Sequence, residues 1–371
     1  YLLRYPRSIV FSILHHFHLL SSLQYNPYAA CTFCLEYIFD MYLIWLQFII
    51  ATAIILVVSG FLAKSADVIA FKTGLGRTFV GVLLLASATS LPELATGISS
   101  VTAVGAPDLA AGDAFGSNLV NLLIIGLMDI RWRNGPLLNS VKINLTLVAV
   151  LSILIISIPV IAITAHHADN IFSSWIISPF SIFLLLGFIF SLYLIFRNEQ
   201  GSSAELEDNY SNESLFKSSA IYVFSASAIV ISAIWLAFTG EQISSEMGWE
   251  ASFVGTQFLA LSTSLPELAA SFAALRILAP ELAISNVLGS NLFNMGFVLW
   301  ADDLAQTNDI FWSSVSPTHV ATASIAIAMT AVVIIGLVTR GRSRPTKYLT
   351  YESTALIAFY LMANLMVFKL G

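Results

Sequence analysis

The pentapeptide Thr-Ser-Leu-Pro-Glu occurs twice, at Thr89–Glu93 and Thr263–Glu267, each time inside an apolar run long enough to cross a bilayer. An acidic side chain at mid-bilayer costs at least ~2.5–3.5 kcal/mol on insertion scales, so such residues usually face a partner or a wet cavity and serve a function. Each glutamate follows a proline, which has no N–H and whose ring clashes with the carbonyl four residues back. A kink or unwound turn is therefore expected at Pro92 and Pro266, leaving the Ala88 and Ser262 carbonyls without helical donors. Bare carbonyl oxygen at membrane depth is tolerated only where it is buried in protein or lines a cavity. Thr89 and Ser90 stand four and three residues before Glu93, and Thr263 and Ser264 hold the same places before Glu267, so each set projects from one side of its kink.

A second pair of motifs follows. Gly112-Asp-Ala-Phe-Gly-Ser-Asn-Leu-Val-Asn121 places Asp113, Ser117 and Asn121 at i, i+4 and i+8 on one helical face, beside Gly112 and Gly116. Its counterpart, Ser285–Asn294, places Asn286, Ser290 and Asn294 likewise. The donor set is carboxylate, hydroxyl, amide and carbonyl oxygen with no Cys or His, which suits Ca²⁺ or Na⁺ rather than zinc or copper. Structural alternatives exist. Ser and Thr in membrane helices bond back to the i−4 carbonyl, small-xxx-small patterns pack, and a protonated glutamate serves as a plain hydrogen-bond donor. Duplication of acid, proline and hydroxyls together favours an ion site. Asp113 divides evenly between the site and an interfacial partner.

The elements that must carry these residues are membrane helices. Of 371 residues, 57% are hydrophobic and only 10% charged, where a soluble domain carries about a quarter charged residues. The net charge of −6 says little about nucleic acid, and what matters is where the charges lie; the bilayer is the expected partner and no nucleic acid is expected. Ten spans are read, near 42–62, 77–101, 108–129, 142–164, 172–196, 217–238, 252–275, 280–301, 320–338 and 351–369. Lys64, Lys72, Arg77, Arg131, Arg133, Lys142, Arg197, Lys217, Arg276, Arg340, Arg342, Arg344 and Lys347 all fall in or beside loops on one side of that arrangement. The opposite loops carry His166, His167, Asp169, Glu241, Glu246, Glu250, Asp302, Asp303, Asp309 and His319, with Lys369 the exception at the chain end. The basic side is the cytoplasmic one, so both ends of the helical core are expected outside. His166 and His167 read as ordinary surface residues.

Residues 1–40 differ from the rest, and Met41 is expected to be the true start, with 1–40 an upstream read-through or a leader outside the mature protein. Cys31 and Cys34, spaced C-x-x-C, lie in that extension and offer little support for redox or metal chemistry. The expected organisation is an extension at 1–40, a first repeat at 41–196, an acidic cytoplasmic linker at 197–216 and a second repeat at 217–371. The repeats align with an offset of 174 residues at the first motif and 173 at the second. Five helices per repeat is an odd number, so the second enters the membrane from the opposite side. The fold class is thus all-α integral membrane, ten transmembrane helices as two inverted five-helix repeats.

These paired T-S-L-P-E and G-S-N-x-x-N segments resemble the alpha-repeats of the cation/calcium exchanger superfamily, which includes sodium/calcium exchangers and their prokaryotic relatives. The resemblance spans Met41–Gly371 and is most specific over Gly81–Asp129 and Gly255–Asp303. It implies four central helices around the ion sites and two sliding gating helices. By motif, Glu93 and Glu267 would be the main calcium ligands, with Thr89, Ser90, Thr263, Ser264, Ser117 and Ser290 supplying oxygens for sodium and calcium. Asn121 and Asn294 depart from the best-known exchangers, which carry aspartate at one of the two places, and this leaves coupling ion and stoichiometry open. The expected protein is not an enzyme. It is a secondary antiporter of Ca²⁺ or a related divalent cation against Na⁺ or H⁺, in a prokaryotic plasma membrane, with the cations as cargo and no bound cofactor. The rivals are a monovalent cation/proton antiporter and a cation channel, which would need a continuous pore. An intramembrane acid protease lacks its second aspartate, because Asn286 matches Asp113.

Overall fold

The computed structural model describes residues 27–168, 178–199, 210, 212–247, 260–307, 309–340 and 349–370. Residues 1–26 lie outside these, as do the side chains of 27–40 with Cys31 and Cys34, so the reading of the extension does too. The same holds for most of the linker, for the loop bearing Arg342, Arg344 and Lys347, and for Asp169 and Glu250.

The described chain is helical throughout. Helix α1 runs Pro27–Thr73, and α2 is a bent pair, Arg77–Thr89 and Leu91–Val104. There follow α3 (Pro107–Arg131), α4 (Leu145–Ala168), α5 (Pro179–Glu199) and α6 (Leu215–Met247). Helix α7 is broken into Ala260–Thr263 and Leu265–Arg276, and α8 (Pro280–Ala305), α9 (Thr318–Thr339) and α10 (Tyr351–Leu370) complete the set. The chain is an all-helical membrane protein. Seven of these helices are long and apolar enough to cross a bilayer by themselves, eight with the bent pair, against the ten expected. Both shortfalls fall at the edges of the described residues: α10 is helical over Tyr351–Leu370 but counted only over Tyr351–Val367, and the first residues of the seventh span lie outside the described ones. In the other direction, α1 outruns its apolar window, because helical backbone continues past Lys64 and Lys72 where the side chains reach the interface.

Burial sorts the helices into centre and periphery. The membrane-length stretches of α3 and α8 are 83% and 94% buried, whereas that of α1 is 11% buried. Centre means α2, α3, α7 and α8, which carry all four motifs and pack on one another. Helices α1 and α6 lie along each other at the outside. At the end that carries the basic loops, buried Asp67 of α1 receives a two-pronged hydrogen bond from Arg77 of α2, at 2.6 and 3.0 Å. The Tyr210 hydroxyl donates to the same carboxylate at 3.0 Å, which ties the end of the linker to both helices. Burial, and then the Asp67 charge, push the Tyr210 phenol up to about 12, so it remains a donor at any physiological pH.

The turns between paired motif helices show the repeat in the backbone. Gly105 ends α2 in the left-handed region (φ 69°) and Pro107 opens α3, the usual Gly-then-Pro order at such a junction. In the second repeat Pro280 opens α8, but the left-handed position is held by Leu278 (φ 59°). A branched residue there costs roughly 1–2 kcal/mol. Leu278 is exposed and packs little, so Leu278→Gly should stabilise the protein by up to about 1 kcal/mol after glycine's own chain entropy is counted. Thermal unfolding in detergent checks this; a lower melting temperature would mean that the leucine makes contacts worth more than its strain.

Candidate cation site

Both T-S-L-P-E segments break their helices as the proline predicts, one residue before the leucine. Ser90 leaves helical geometry (φ −94°, ψ 6°), and Ser264 does the same (φ −82°, ψ 3°). Pro92 and Pro266 then sit in the first turn of the second segment, where their missing N–H is harmless. The two segments of α2 meet at 41°. Each break places a glutamate in the first turn of a new helix, where the helix dipole and unpaired N–H groups favour negative charge.

The two breaks face each other where the repeats cross. Ser90 Oγ donates to Glu267 Oε1 at 2.8 Å, a bond from the first repeat to the second, and Ser290 Oγ from α8 reaches the same oxygen at 3.3 Å. Thr89 Oγ1 donates to the Ala86 carbonyl at 3.2 Å and lies 3.4 Å from Asn286 Oδ1. Its counterpart Thr263 Oγ1 donates to Asp113 Oδ1 at 3.1 Å and to the Ala260 carbonyl at 3.2 Å, with Ser117 Oγ 3.4 Å away. Glu93 has Glu267 and Asp113 within electrostatic reach and Ser117 beside it. Thr89, Ser90, Glu93, Asp113, Ser117, Asn121, Thr263, Ser264, Glu267, Ser290 and Asn294 are all at most 1% exposed. The helices thus bring Thr89, Ser90, Glu93, Asp113, Ser117, Thr263, Glu267 and Ser290 into one buried cluster, while Ser264, Asn121 and Asn294 are buried on the same helices.

Several of its oxygens are not spent on the protein. Both Glu93 oxygens, Glu267 Oε2, Ser264 Oγ and the whole side-chain amides of Asn121 and Asn294 have no hydrogen-bond partner among the described residues. A buried polar group left so costs about 1–3 kcal/mol, and a charged one more, and native proteins leave few. The cluster is also unequal about its pseudo-dyad. Ser90 bonds Glu267, but the mirror contact, Ser264 to Glu93, is not made.

Two polar residues here escaped the sequence reading, Thr96 and Ser271. Thr96 donates to Asp113 Oδ2 at 2.7 Å, and Ser271 Oγ accepts from Asn286 Nδ2 at 2.9 Å. Asn291 Nδ2 reaches the Asn118 carbonyl at 3.3 Å, joining the two G-S-N motifs across the repeats. Asp302 and Asp303, expected in an external loop, are buried within α8, and Asp302 is 0% exposed. The apolar signal fails at the acids themselves, which is why the span was ended at 301. His166 was expected at the surface; it is buried against Ser178 and Phe180, whereas His167 is exposed. Phe180 provides the apolar cover that a loop histidine would lack.

The family described as sodium/calcium exchanger protein matches residues 43–200 and again 217–369. Inner membrane protein YrbG of Escherichia coli is 26% identical over 284 residues, which cover 71% of this chain and 82% of that protein. Sodium/calcium exchanger MaX1 of Methanosarcina acetivorans is 25% identical over 277 residues, 65% of this chain and 77% of its own. The solved structure of the sodium-calcium exchanger NCX_Mj, soaked with Na⁺ and Sr²⁺, superposes with a TM-score of 0.64 at 21% identity, covering 87% of this chain and 98% of that one. At that identity the likeness establishes the fold.

Proposed function

The chain belongs to the sodium/calcium exchanger family, a family of transporters, and from that premise we propose that it is a secondary antiporter. Its cargo would be Ca²⁺ or a related divalent cation, exchanged for Na⁺ or H⁺ by alternating access at Glu93 and Glu267. The observation that supports this most is the pair itself. Two buried glutamates, one from each repeat, meet at the crossing of two broken helices with three of their four oxygens unpartnered. Thr89, Ser90, Ser117, Thr263, Ser264 and Ser290 would add hydroxyl oxygens, and Asn121 and Asn294 amide oxygens.

Exchange follows from charge. Two carboxylates neutralise one divalent ion or two monovalent ions, whereas crossing with neither leaves two uncompensated charges at membrane depth. A return trip therefore needs a counter-ion. The unequal serine contacts suit a pair of access states in which the Ser90–Glu267 bond and its mirror alternate. Residues 41–196 and 217–371 would be the exchanging repeats, with 197–216 a cytoplasmic linker and the ends of the core outside a prokaryotic plasma membrane.

Radiolabelled Ca²⁺ uptake into proteoliposomes tests the proposal. Uptake should saturate and should require an outward gradient of Na⁺ or of H⁺. Flux without any counter-ion would indicate a channel. A Na⁺ or K⁺ flux coupled to protons, with no divalent movement, would indicate a monovalent cation/proton antiporter.

A further inference from the structure

The acids of α8 stand in different surroundings from their counterpart in the first repeat. With the repeat offset of 173, Asp302 matches Asp129 at the end of α3. Asp129 is fully engaged: its Oδ1 accepts from the Leu137 N–H at 2.7 Å, and its Oδ2 from Ser353 and Thr350 at 2.7 and 3.0 Å. It is a structural cap on the loop after α3. Asp302 is just as deeply buried, yet neither of its oxygens has a hydrogen-bond partner among the described residues. One position thus carries an acid in both repeats, with three donors in one and none in the other.

The carboxylate is also placed by packing. It lies against Gly97 of α2, where a Cβ would come within 2.6 Å of Oδ1 and 2.8 Å of Oδ2. Gly97 is one turn beyond Glu93, and Thr96 beside it holds Asp113. The charges that act on Asp302 are Asp113 from α3 and Asp303 from its own helix, both acidic. Asp303 is answered by the Ser178 N–H of α5 at 3.1 Å. From α2 the nearest acid along the chain is Glu93, and the short helix Phe311–Ser314 packed on this end of α8 has no ionisable side chain. Counting along the helices, Asp113 is one turn from Ser117, and Asp302 is roughly 12 Å of helix rise from Asn294. Both displacements run toward the Gly105 turn, which is the outer side in the orientation proposed above.

We infer that Asp302, seated on Gly97 and backed by Asp113, is a second binding station for a monovalent cation, Na⁺ or a proton, between the glutamate pair and the outer face. The inference rests on the antiporter reading and names where its counter-ion is first held. A divalent ion suits the place poorly, since Ca²⁺ takes six to eight oxygens and the free oxygens here are the two of Asp302. A buried free carboxylate beside the Asp113 and Asp303 charges suits one positive charge. The inner path lacks this feature: Asn286 replaces Asp113, Ser271 replaces Gly97, and Asp129 is capped.

Asp302→Asn keeps the shape and removes the charge. In proteoliposomes the half-saturating concentration of the counter-ion at the outer face should rise about tenfold, the scale of one lost charged contact, with the inner-face value unchanged. Binding measured on the detergent-solubilised chain separates the two ions. If the station takes Na⁺, equilibrium binding of radiolabelled Na⁺ falls by one ion per chain in the variant. If it takes a proton, Na⁺ counts agree, and an infrared band of a protonated carboxyl group present in the native protein disappears. Gly97→Ala retains the acid but crowds it, and should produce the outer-face shift alone, which covers the case of an Asp302 variant that does not fold. Unchanged outer affinity, ion count and infrared spectrum in a folded Asp302→Asn protein, or an unchanged outer affinity in Gly97→Ala, would overturn the inference. Failure of the antiporter reading looks different: the unaltered protein would pass Ca²⁺ without a counter-ion, and the two binding measurements would still stand.

Discussion

Glu93→Gln and Glu267→Gln should each abolish divalent transport in a protein that still folds. Glutamine keeps the length and planarity of the side chain and removes one of two charges facing the cargo. At an effective dielectric of about 20, one unit charge 4 Å from another is worth about 4 kcal/mol, so losing its attraction for a divalent ion lowers affinity by roughly a thousandfold or more. The fold is insulated from the change. Neither Glu93 oxygen has a hydrogen-bond partner among the described residues, and in Glu267→Gln the remaining amide oxygen can still accept from Ser90 and Ser290. Removing an unpartnered buried charge should leave stability equal or raise it. Initial rates of radiolabelled Ca²⁺ uptake, set beside thermal unfolding in detergent, provide the check. Near-normal flux in either variant would remove the glutamates from the mechanism.

Gly289→Ala should damage both stability and transport, although it adds only a methyl group. Residue 289 is a point of close approach between α8 and α2. A Cβ there would come within 2.6 Å of Val82 Cα, 2.9 Å of Ala86 Cβ and 3.1 Å of the Val82 carbonyl oxygen. Two of those atoms are backbone, so no rotamer change relieves the clash and the helices must part. Overpacking of this kind costs about 1–3 kcal/mol, sometimes more. The displaced turn includes Ala86, whose carbonyl receives the Ser90 N–H at 2.9 Å and the Thr89 hydroxyl. Moving it carries Ser90 away from Glu267. The expected result is a melting temperature lower by several degrees, for ~1–3 kcal/mol in a chain of this size, and Ca²⁺ uptake reduced about tenfold or more. An unchanged melting curve would show that α2 and α8 separate freely at this point.

Much of this arrangement was legible in the residues. Membrane helices announce themselves by length and hydropathy, and two copies of an acid after a proline have few uses in a bilayer. The meeting of Thr89, Ser90, Glu93, Asp113, Ser117, Thr263, Ser264, Glu267 and Ser290 in one cluster follows from two repeats that cross at their kinks. What was not legible depends on neighbours distant in sequence. Asp129 and Asp302 look alike along the chain; only the approach of Leu137, Thr350 and Ser353 to one, and of bare Gly97 to the other, separates them. Thr96 gave no signal because a lone threonine in a helix usually bonds its own backbone. It does so here as well, to the Pro92 carbonyl at 3.0 Å, while also reaching Asp113. The inequality of Ser90 and Ser264 could not be read at all, since their local sequences are the same.

The two peripheral helices are also unusually long. The stretch Met41–Thr73 of α1 and the whole of α6, Leu215–Met247, each have 33 residues, which is about 50 Å of helix against a hydrocarbon core of about 30 Å. Such rods fit by leaning or by carrying their ends into the headgroups, and the balance shifts with local lipid thickness. Because α1 and α6 lie along each other and their membrane-length stretches are only 11% and 29% buried, their lean is open to hydrophobic mismatch as well as to protein contacts. Acyl-chain length should therefore act mechanically on this pair: a thinner membrane is expected to tip it further, and a thicker one to draw it upright.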